Sequence, residues 1–395
     1  MSDTSAESIR AERLNGIELS LIVRIQERAN ALRAEGVDII GLGTGEPDFD
    51  TPEHIKEAAV QAMRDGVTKY PPTAGSAALK EAVCAKFERE NNFVYAADEV
   101  MVRLHASGVN PSDVKARAGS RPMGFPRVIP HSDGAGIVEA VGAGVDPSLV
   151  GSRVFVRNGQ WRRAFGTAAD YIALDAGCVH PLPDGIGFDT GAALGIPALT
   201  AACAVLRDGP VAGETILVHG AGGTVARLAV QIAADCGAGV IATTGRPERA
   251  DDVMAAGAEA VIDYRSGNLV EAVADAAAGR PVTRVIDSEC GLNLASSIEI
   301  LAEKGVIVGY GSVLEPAPEL PFLTMMFKNL TLSSILVYLL GDEEAAAYAA
   351  IVSDMLERGA LDARIQKVLP LEDAARAHGL VEAGDRAGAV ILSTA

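Results

Sequence analysis

The stretch TILVHGAGGTVARLAVQIA, Thr215 to Ala233, sets residues suited to one chemistry at a defined spacing. An apolar run ends in a glycine-rich turn, and the turn opens a helical pattern. A dinucleotide needs this order of parts. Its pyrophosphate must reach backbone N–H groups at a helix N-terminus with no Cβ in the way. The strict G-x-G-x-x-G spacing fails, because Gly220 and Gly222 fit but Val225 stands in the last glycine's place. The spacing G-x-x-G-x-x-A is met by Gly220, Gly223 and Ala226. A lone glycine loop has a plain alternative as a structural turn; the strand, turn, helix and βαβ order around this one favours a nucleotide.

Nicotinamide-nucleotide sites that take the unphosphorylated ribose place an acid about 20 residues further on. Here the chain reads IATTGRPERADD, with Thr243, Thr244 and Gly245 at the strand end and Arg246 and Arg249 just after it. A carboxylate would repel a 2′-phosphate, whereas guanidinium groups bind one bidentately. These residues point to NADP(H). The plainer alternative makes both arginines solvated residues at a helix start.

The elements that must position this turn are legible as a β-α-β-α-β series from Asp189 onward. Strands are expected at TILVHG, GVIATT, AVIDY, VTRVIDS and GVIVGYGS. Helices are expected from Gly223 to Gly237, at PERADDVMAAG, around Leu269 to Ala278 and around Asn293 to Glu303. That alternation predicts a parallel doubly wound sheet. Before it, EVMVRLHASGV, DGAGIVEAVGAGV and VGSRVFV alternate and break at glycine, as short strands of a small β-barrel do. The first hundred residues have another texture. Ala6 to Ala34 is helical in pattern, and Val37 to Leu42 is a short apolar strand. TPEHIKEAAVQAMRDG is a helix with Thr51 as N-cap and Pro52 in first position, and SAALKEAVCAKFERENN is another.

Bulk properties bound the function. The chain has 395 residues, which suits two domains or three, and 49% of them are hydrophobic, enough for sizeable buried cores. Its formal charge of −18 disfavours a nucleic-acid partner. The cysteines, Cys84, Cys178, Cys203, Cys236 and Cys290, include no metal-type pair and suit a reducing cytosol. The start MSDTSAESIRAERLNG lacks a signal-peptide core. The apolar run Leu330 to Gly341 falls short of the ~18 residues that span a bilayer. A cytoplasmic enzyme without a membrane partner is the expectation.

From about Val102 to Ala395 the chain resembles the medium-chain dehydrogenase/reductase superfamily, in its zinc-free, zeta-crystallin-like quinone reductase branch. The matching stretches include VRLHASGVNPSDVKARAG, IPHSDGAGIVEAVGAGV, GTAADYIAL, LGIPALTAACAVL, VHGAGGTVARLAVQIA, AAGAEAVIDYR and GVIVGYGS. The resemblance implies a Rossmann doubly wound parallel sheet and a GroES-like β-barrel catalytic domain, and with the helical pattern of the first hundred residues the expectation is an α/β chain with an extra α-rich N-terminal segment. It implies segments at 1–101 (N-terminal), 102–186 (catalytic), 187–337 (Rossmann) and 338–395 (return to the catalytic domain). It also implies hydride transfer from NADPH to a quinone or an α,β-unsaturated carbonyl compound, in a homodimer. Carried over residue by residue, the cofactor contacts fall on Gly220, Ala221, Gly222, Gly223, Thr224, Gly245, Arg249 and Tyr264; Arg246 and Gly309 are expected to complete the cofactor site. Thr200 matches a threonine near the nicotinamide, and Asn110 and Asp113 match polar residues of the substrate cleft. Two tyrosines found there in some members are Lys115 and Arg121 here. Zinc-dependent relatives bind metal through a Cys at the position of Asn110 and a His-Glu pair at Ser132 and Asp133, so no metal is expected. His131 is expected to be a hydrogen-bonded loop histidine.

Without a metal, the protein must hold the nicotinamide over an electrophilic carbon and stabilise charge that develops on oxygen. Asn110 is able to donate to that oxygen. Asp113 is ionised near neutrality unless buried, and bracing the loop is its alternative role.

Residues up to about Met101 resemble a second family, the fold-type I aminotransferases. ANALRAEGVDIIGLGTGEPDFDTPEHIKEAAVQAM, TKYPPTAGSAALKEAV and YAADEVMV match the N-terminal arm of the aspartate type. In that family Tyr70's counterpart reaches the cofactor phosphate of the neighbouring subunit. The Schiff-base lysine and carboxylate-clamping arginine that follow in such enzymes have no match here, and transamination requires the former. Two alternatives to a working reductase are a nucleotide-binding protein of little activity, its barrel lacking the usual first hairpin, and an aminotransferase remnant.

Overall fold

The computed structural model describes residues 21–39, 49–71, 75–91, 98–120, 122 and 124–394. The chain forms two units, Met1–Thr73 and Ala74–Ala395.

In the first unit, α1 (Leu21–Ala34) and α2 (Glu53–Arg64) are the described elements. Ala6 to Ser20 lie outside the described residues. The N-cap of α2 is Pro52 rather than Thr51, with no side-chain capping bond. Proline lacks an N–H, so it sits at a helix start without leaving a donor unpaired. Gly66 follows α2 at φ +77°, a conformation that favours glycine. Val37 to Ile39 are irregular rather than a strand, and Ile40 to Leu42 lie outside the described residues. A short apolar run becomes a strand only against a partner edge.

The second unit begins with α3 (Ala77–Asn91), followed by β1 (Glu99–Val109). In β1, Val100, Val102, Leu104 and Ala106 are buried, while Met101 is exposed and Arg103 and His105 are half-buried, the period of two that a half-covered strand requires. Next come α4 (Pro111–Arg117), β2 (Asp133–Val141), β3 (Arg153–Val156), β4 (Tyr171–Asp175) and β5 (Val179–Pro181). Then α5 (Phe188–Gly191) and α6 (Pro197–Leu206) lead to β6 (Thr215–Val218), α7 (Thr224–Asp235), β7 (Gly239–Thr244) and α8 (Ala250–Ala255). These are followed by β8 (Ala260–Asp263), α9 (Leu269–Ala277), β9 (Val282–Asp287), α10 (Cys290–Ile300) and β10 (Val306–Gly309). The chain ends through α11 (Phe322–Lys328), β11 (Thr331–Ser334), α12 (Asp342–Glu357), β12 (Ile365–Pro370), α13 (Ala374–Glu382) and β13 (Ala389–Ser393).

Two sheets result. The six-stranded sheet has the order β11-β10-β9-β6-β7-β8, and every pair in it is parallel. This is the doubly wound order, with its switch point between β6 and β9. The strands β6 and β7 are almost wholly buried, so they appear in the sequence as unbroken apolar runs. On one face α6 packs on α7. The fully buried Ala198, Ala201, Ala202 and Ala204 of α6 leave room for Leu228 and Ile232 of α7 in the shared core.

The seven-stranded sheet has the order β12-β13-β1-β2-β3-β5, with β4 also on β1. The long β1 is hydrogen-bonded along both edges: to β2 on one side, and to β4 at Glu99–Arg103 and β13 at Ala106–Val109 on the other. A barrel lacking its usual first hairpin has a sheet edge to fill; β13, returning from the C-terminus, supplies part of the pairing. Val102, from about which the sequence reads as resembling a reductase, falls inside β1. Helix α10 starts and ends three residues before its expected range. Asp287 fixes its start by accepting Glu289 N at 2.8 Å and Asn293 Nδ2 at 3.0 Å.

Candidate active site

The glycine turn follows β6. Gly220 has φ +66°, and Ala221 N donates to Thr243 O at 2.8 Å. Gly220 N donates to Thr243 Oγ1 at 3.1 Å, so the end of β7 holds the turn in place. Gly223 is the N-cap of α7, whose first amides have no intrahelical acceptor and are open to a phosphate. A Cβ on Gly222 would stand 3.1 Å from Thr244 Oγ1 and 3.3 Å from Arg249 Cδ. Ala226, in the last motif position, is buried where α7 meets the sheet. Gly220, Gly245, Tyr264 and Gly309 follow or end β6, β7, β8 and β10, so all four lie at the carboxyl edge of the parallel sheet. At Gly245 a Cβ would run into the tip of the Tyr264 side chain, so glycine lets that ring lie against the strand end. At Gly309 a Cβ would stand 2.9 Å from the Cβ of Cys290.

Arg246 and Arg249 sit beside this turn, at the starts of the 3-10 turn Pro247–Arg249 and of α8, and both are half-buried rather than solvated. Arg249 Nη1 donates to Gly222 O and to Arg386 O, both at 2.8 Å. Arg246 Nη2 donates to Gly384 O at 3.0 Å, and its Nη1 pairs with Asp385. Thr244 Oγ1 accepts Arg246 N at 3.1 Å and fixes the turn that carries both arginines. The sequence noted Thr243 and Thr244 only as strand-end residues; their hydroxyls shape the site.

The cleft residues are tied together by one carboxyl group. Asp133 Oδ2 accepts Asn110 Nδ2 at 2.8 Å and Ile196 N at 2.9 Å. Thr200 Oγ1 donates to Ile196 O at 2.5 Å. Asn110, after β1, and Thr200, in α6, are therefore linked through Asp133 and Ile196. Asp133 is fully buried, and burial pushes its carboxyl well above the usual carboxylate range; the nearby Asp113 adds to this, while the Ile196 and Asn110 donors oppose it. Asp113 Oδ2 accepts Asn110 N at 2.8 Å, which is the loop brace. Tyr338 stacks on Trp161 with centroids 4.5 Å apart and donates to Ser112 Oγ at 2.9 Å. Burial pushes its phenol up to about 12, so it stays protonated. Lys115 is exposed on α4, and Arg121 lies outside the described residues.

His131 is buried, bonded to Ser107 Oγ at 2.9 Å and to His378 Nε2 at 2.8 Å. Burial, and His378 beside it, push it down to about 3, so it is a neutral structural histidine. Among the described residues no three His, Cys, Asp or Glu side chains converge as metal ligands. Nor is any helix among them long and apolar enough to cross a membrane.

These features coincide with known proteins. The alcohol dehydrogenase GroES-like domain model matches residues 96–184, and the zinc-binding dehydrogenase model matches 224–354. The chain belongs to the medium-chain dehydrogenase/reductase superfamily. Within it, the chain is an oxidoreductase similar to the quinone oxidoreductases. That of Sus scrofa is 33% identical over 302 residues, 75% of this chain and 89% of the relative. A mycobacterial quinone oxidoreductase structure aligns with TM-score 0.69 and 28% identity, covering 76% of this chain and 92% of that one. The Escherichia coli quinone oxidoreductase complexed with NADPH aligns with TM-score 0.67 and 27% identity, covering 76% and 92%. The aminotransferase class I and II model matches residues 37–108 and so overlaps the GroES-like match along β1. A Rickettsia bellii protein named "Probable aspartate/prephenate aminotransferase" is 50% identical over 95 residues, only 24% of its own length.

Proposed function

We propose that the protein is an NADPH-dependent, zinc-independent reductase that transfers hydride to a quinone or an α,β-unsaturated carbonyl compound. The observation that carries this is the pair Arg246 and Arg249 at the end of β7, beside Gly222, where a carboxylate would select the unphosphorylated ribose. When bound, the nicotinamide supplies the hydride. The chain's residues do the rest. The glycine turn and the α7 N-terminus receive the pyrophosphate, and the arginines receive the 2′-phosphate.

Asn110 uses one N–H on Asp133 and has a second for the oxygen of the acceptor. Thr200 spends its proton on Ile196 O, so it serves as an acceptor rather than a donor. Asp113 braces the loop and is not assigned a proton transfer. Solvent supplies the proton that completes quinone reduction.

The functional unit we propose is a homodimer. Among the described residues, edge strand β11 pairs only with β10, and Phe322, Leu323, Phe327 and Leu332 are exposed in and before it. The segments 102–186, 187–337 and 338–395 would act as catalytic, nucleotide-binding and returning parts.

The test is NADPH oxidation with and without 1,4-benzoquinone, extended to a panel of enones. Quinone-dependent turnover is expected; NADPH binding without turnover would instead support a nucleotide-binding protein of little activity.

A further inference from the structure

The two arginines that face the ribose are already holding an anion that belongs to the chain itself. Asp385 Oδ1 pairs with Arg246 Nη1 and lies 3.5 Å from Arg249 Nη2, so a single carboxylate oxygen serves both guanidinium groups. Around it, Arg246 Nη2 donates to Gly384 O and Arg249 Nη1 to Arg386 O. The turn Gly384–Arg386, between α13 and β13, thus closes over the arginines much as an incoming anion would. Exposure separates the roles. The side chains of Arg249 and Arg246 are 15% and 32% exposed, whereas that of Asp385 is 81% exposed. The cationic half of the site is sheltered and fixed by backbone bonds, and the anionic half is at the solvent side, on a turn that starts with Gly384 at φ +71°.

We infer that Asp385 is an internal counter-anion of the 2′-phosphate site, displaced when a 2′-phosphorylated nucleotide binds, and that it weakens and thereby sets the preference for such nucleotides. This rests on the NADPH reading given above. A phosphate monoester carries about −1.5 to −2 charges near neutrality and three acceptor oxygens, against one charge and two oxygens for the carboxylate. The phosphate therefore wins the competition, but against an opponent already in place. A nucleotide without the 2′-phosphate has no reason to displace Asp385 and binds without that penalty. Discrimination between the two is smaller than two arginines alone would give.

The test uses the full-length protein and calorimetric titration with 2′,5′-ADP and with ADP. Exposed ion pairs are individually weak, so Asp385→Asn should tighten 2′,5′-ADP by roughly threefold to tenfold and leave ADP unchanged. Asp385→Glu, which keeps the charge, should stay near wild type. Matching thermal unfolding midpoints establish that both variants are folded. No tightening in Asp385→Asn, weaker 2′,5′-ADP binding, or equal gains for ADP would overturn the inference. Arg246→Ala/Arg249→Ala in the Asp385→Asn background separates the two levels. If it weakens 2′,5′-ADP while Asp385→Asn alone gives no gain, the counter-anion role fails and the NADPH reading stands. If it leaves 2′,5′-ADP unchanged, the phosphate site itself is elsewhere and both fall.

Discussion

Asn110 Nδ2 and Asp133 Oδ2 stand 2.8 Å apart, and that oxygen also accepts Ile196 N at 2.9 Å. The bond orients the amide of Asn110 and connects the seven-stranded sheet to the chain leading into α6. It also places a carboxyl group where burial favours its neutral form.

A stability prediction follows from that burial. The folded state holds the Asp133 proton more tightly than the unfolded chain does. Its contribution is fully present below the usual carboxylate range and is lost as pH rises towards the raised folded value. Asp133→Asn keeps an acceptor for both donors and removes the titration. Denaturant unfolding at pH 5 and pH 8 should show the variant gaining on wild type at the higher pH. A stability difference that is the same at both pH values would show that Asp133 is ionised throughout.

The cofactor preference is open to a direct mutational test. Charge-assisted hydrogen bonds are worth roughly 1.5–3 kcal/mol each, so Arg246→Ala/Arg249→Ala should weaken NADPH by about tenfold or more. NADH should be little affected. Equal losses for both, in fluorescence titrations, would mean that the arginines act through the Gly384–Arg386 turn and not on a phosphate.

Metal independence can be checked on purified protein. Dialysis against a strong chelator should leave quinone-dependent NADPH oxidation intact. Stoichiometric zinc by elemental analysis, lost together with activity, would contradict the zinc-independent reaction and the absence of metal ligands at Asn110, Ser132 and Asp133.

The N-terminal segment should be separable, provided the cut falls before β1. Residues Glu99, Val100 and Met101 pair with Asp175, Leu174 and Ala173 of β4, and Val100 is buried. Mild proteolysis should cleave upstream of Glu99 while β1 and the parallel sheet resist. A chain starting at Asp98 should keep NADPH binding. One starting at Val102 loses the burial of Val100, worth about 1.5–3 kcal/mol, and should unfold at a lower temperature. If both truncations unfold alike, the upstream residues are integral to the fold.

Assembly supplies a further check. Phe327→Asp with Leu332→Asp, on and before the β11 edge, should move the protein from dimer to monomer in analytical ultracentrifugation. Survival of the dimer would place the contact on another surface.

Much of the nucleotide half was legible because its chemistry is local. The buried strands β6 and β7 show as apolar runs, and Gly220 to Thr224 are contiguous. The cleft was less so. Asn110 was visible by its place after β1, but its partner Asp133 entered only as a position lacking a zinc ligand. Tyr338 bonds Ser112 from 226 residues away, and Asp385 reaches Arg246 across 139. Neither leaves a periodic trace, because a single side chain that returns from the far end of a chain has no pattern of its own. The α10 boundaries were displaced for a similar reason: Asp287, a strand-end residue in the sequence, accepts the N–H of the N-cap Glu289 and the amide of Asn293.

The alternation in β1 bears on how such a chain could arise. A strand held on both edges demands only that every second side chain be apolar and that its backbone be free to pair. Glu99 to Gly108 meet that demand while lying within both family matches, the aminotransferase one up to residue 108 and the GroES-like one from residue 96. Recombination within a strand therefore needs no compatible loop, helix phase or binding pocket on either side of the crossover. A graft at this point, natural or made in the laboratory, inherits a working barrel wall, and the same strand is the place to exchange other N-terminal modules onto this reductase scaffold.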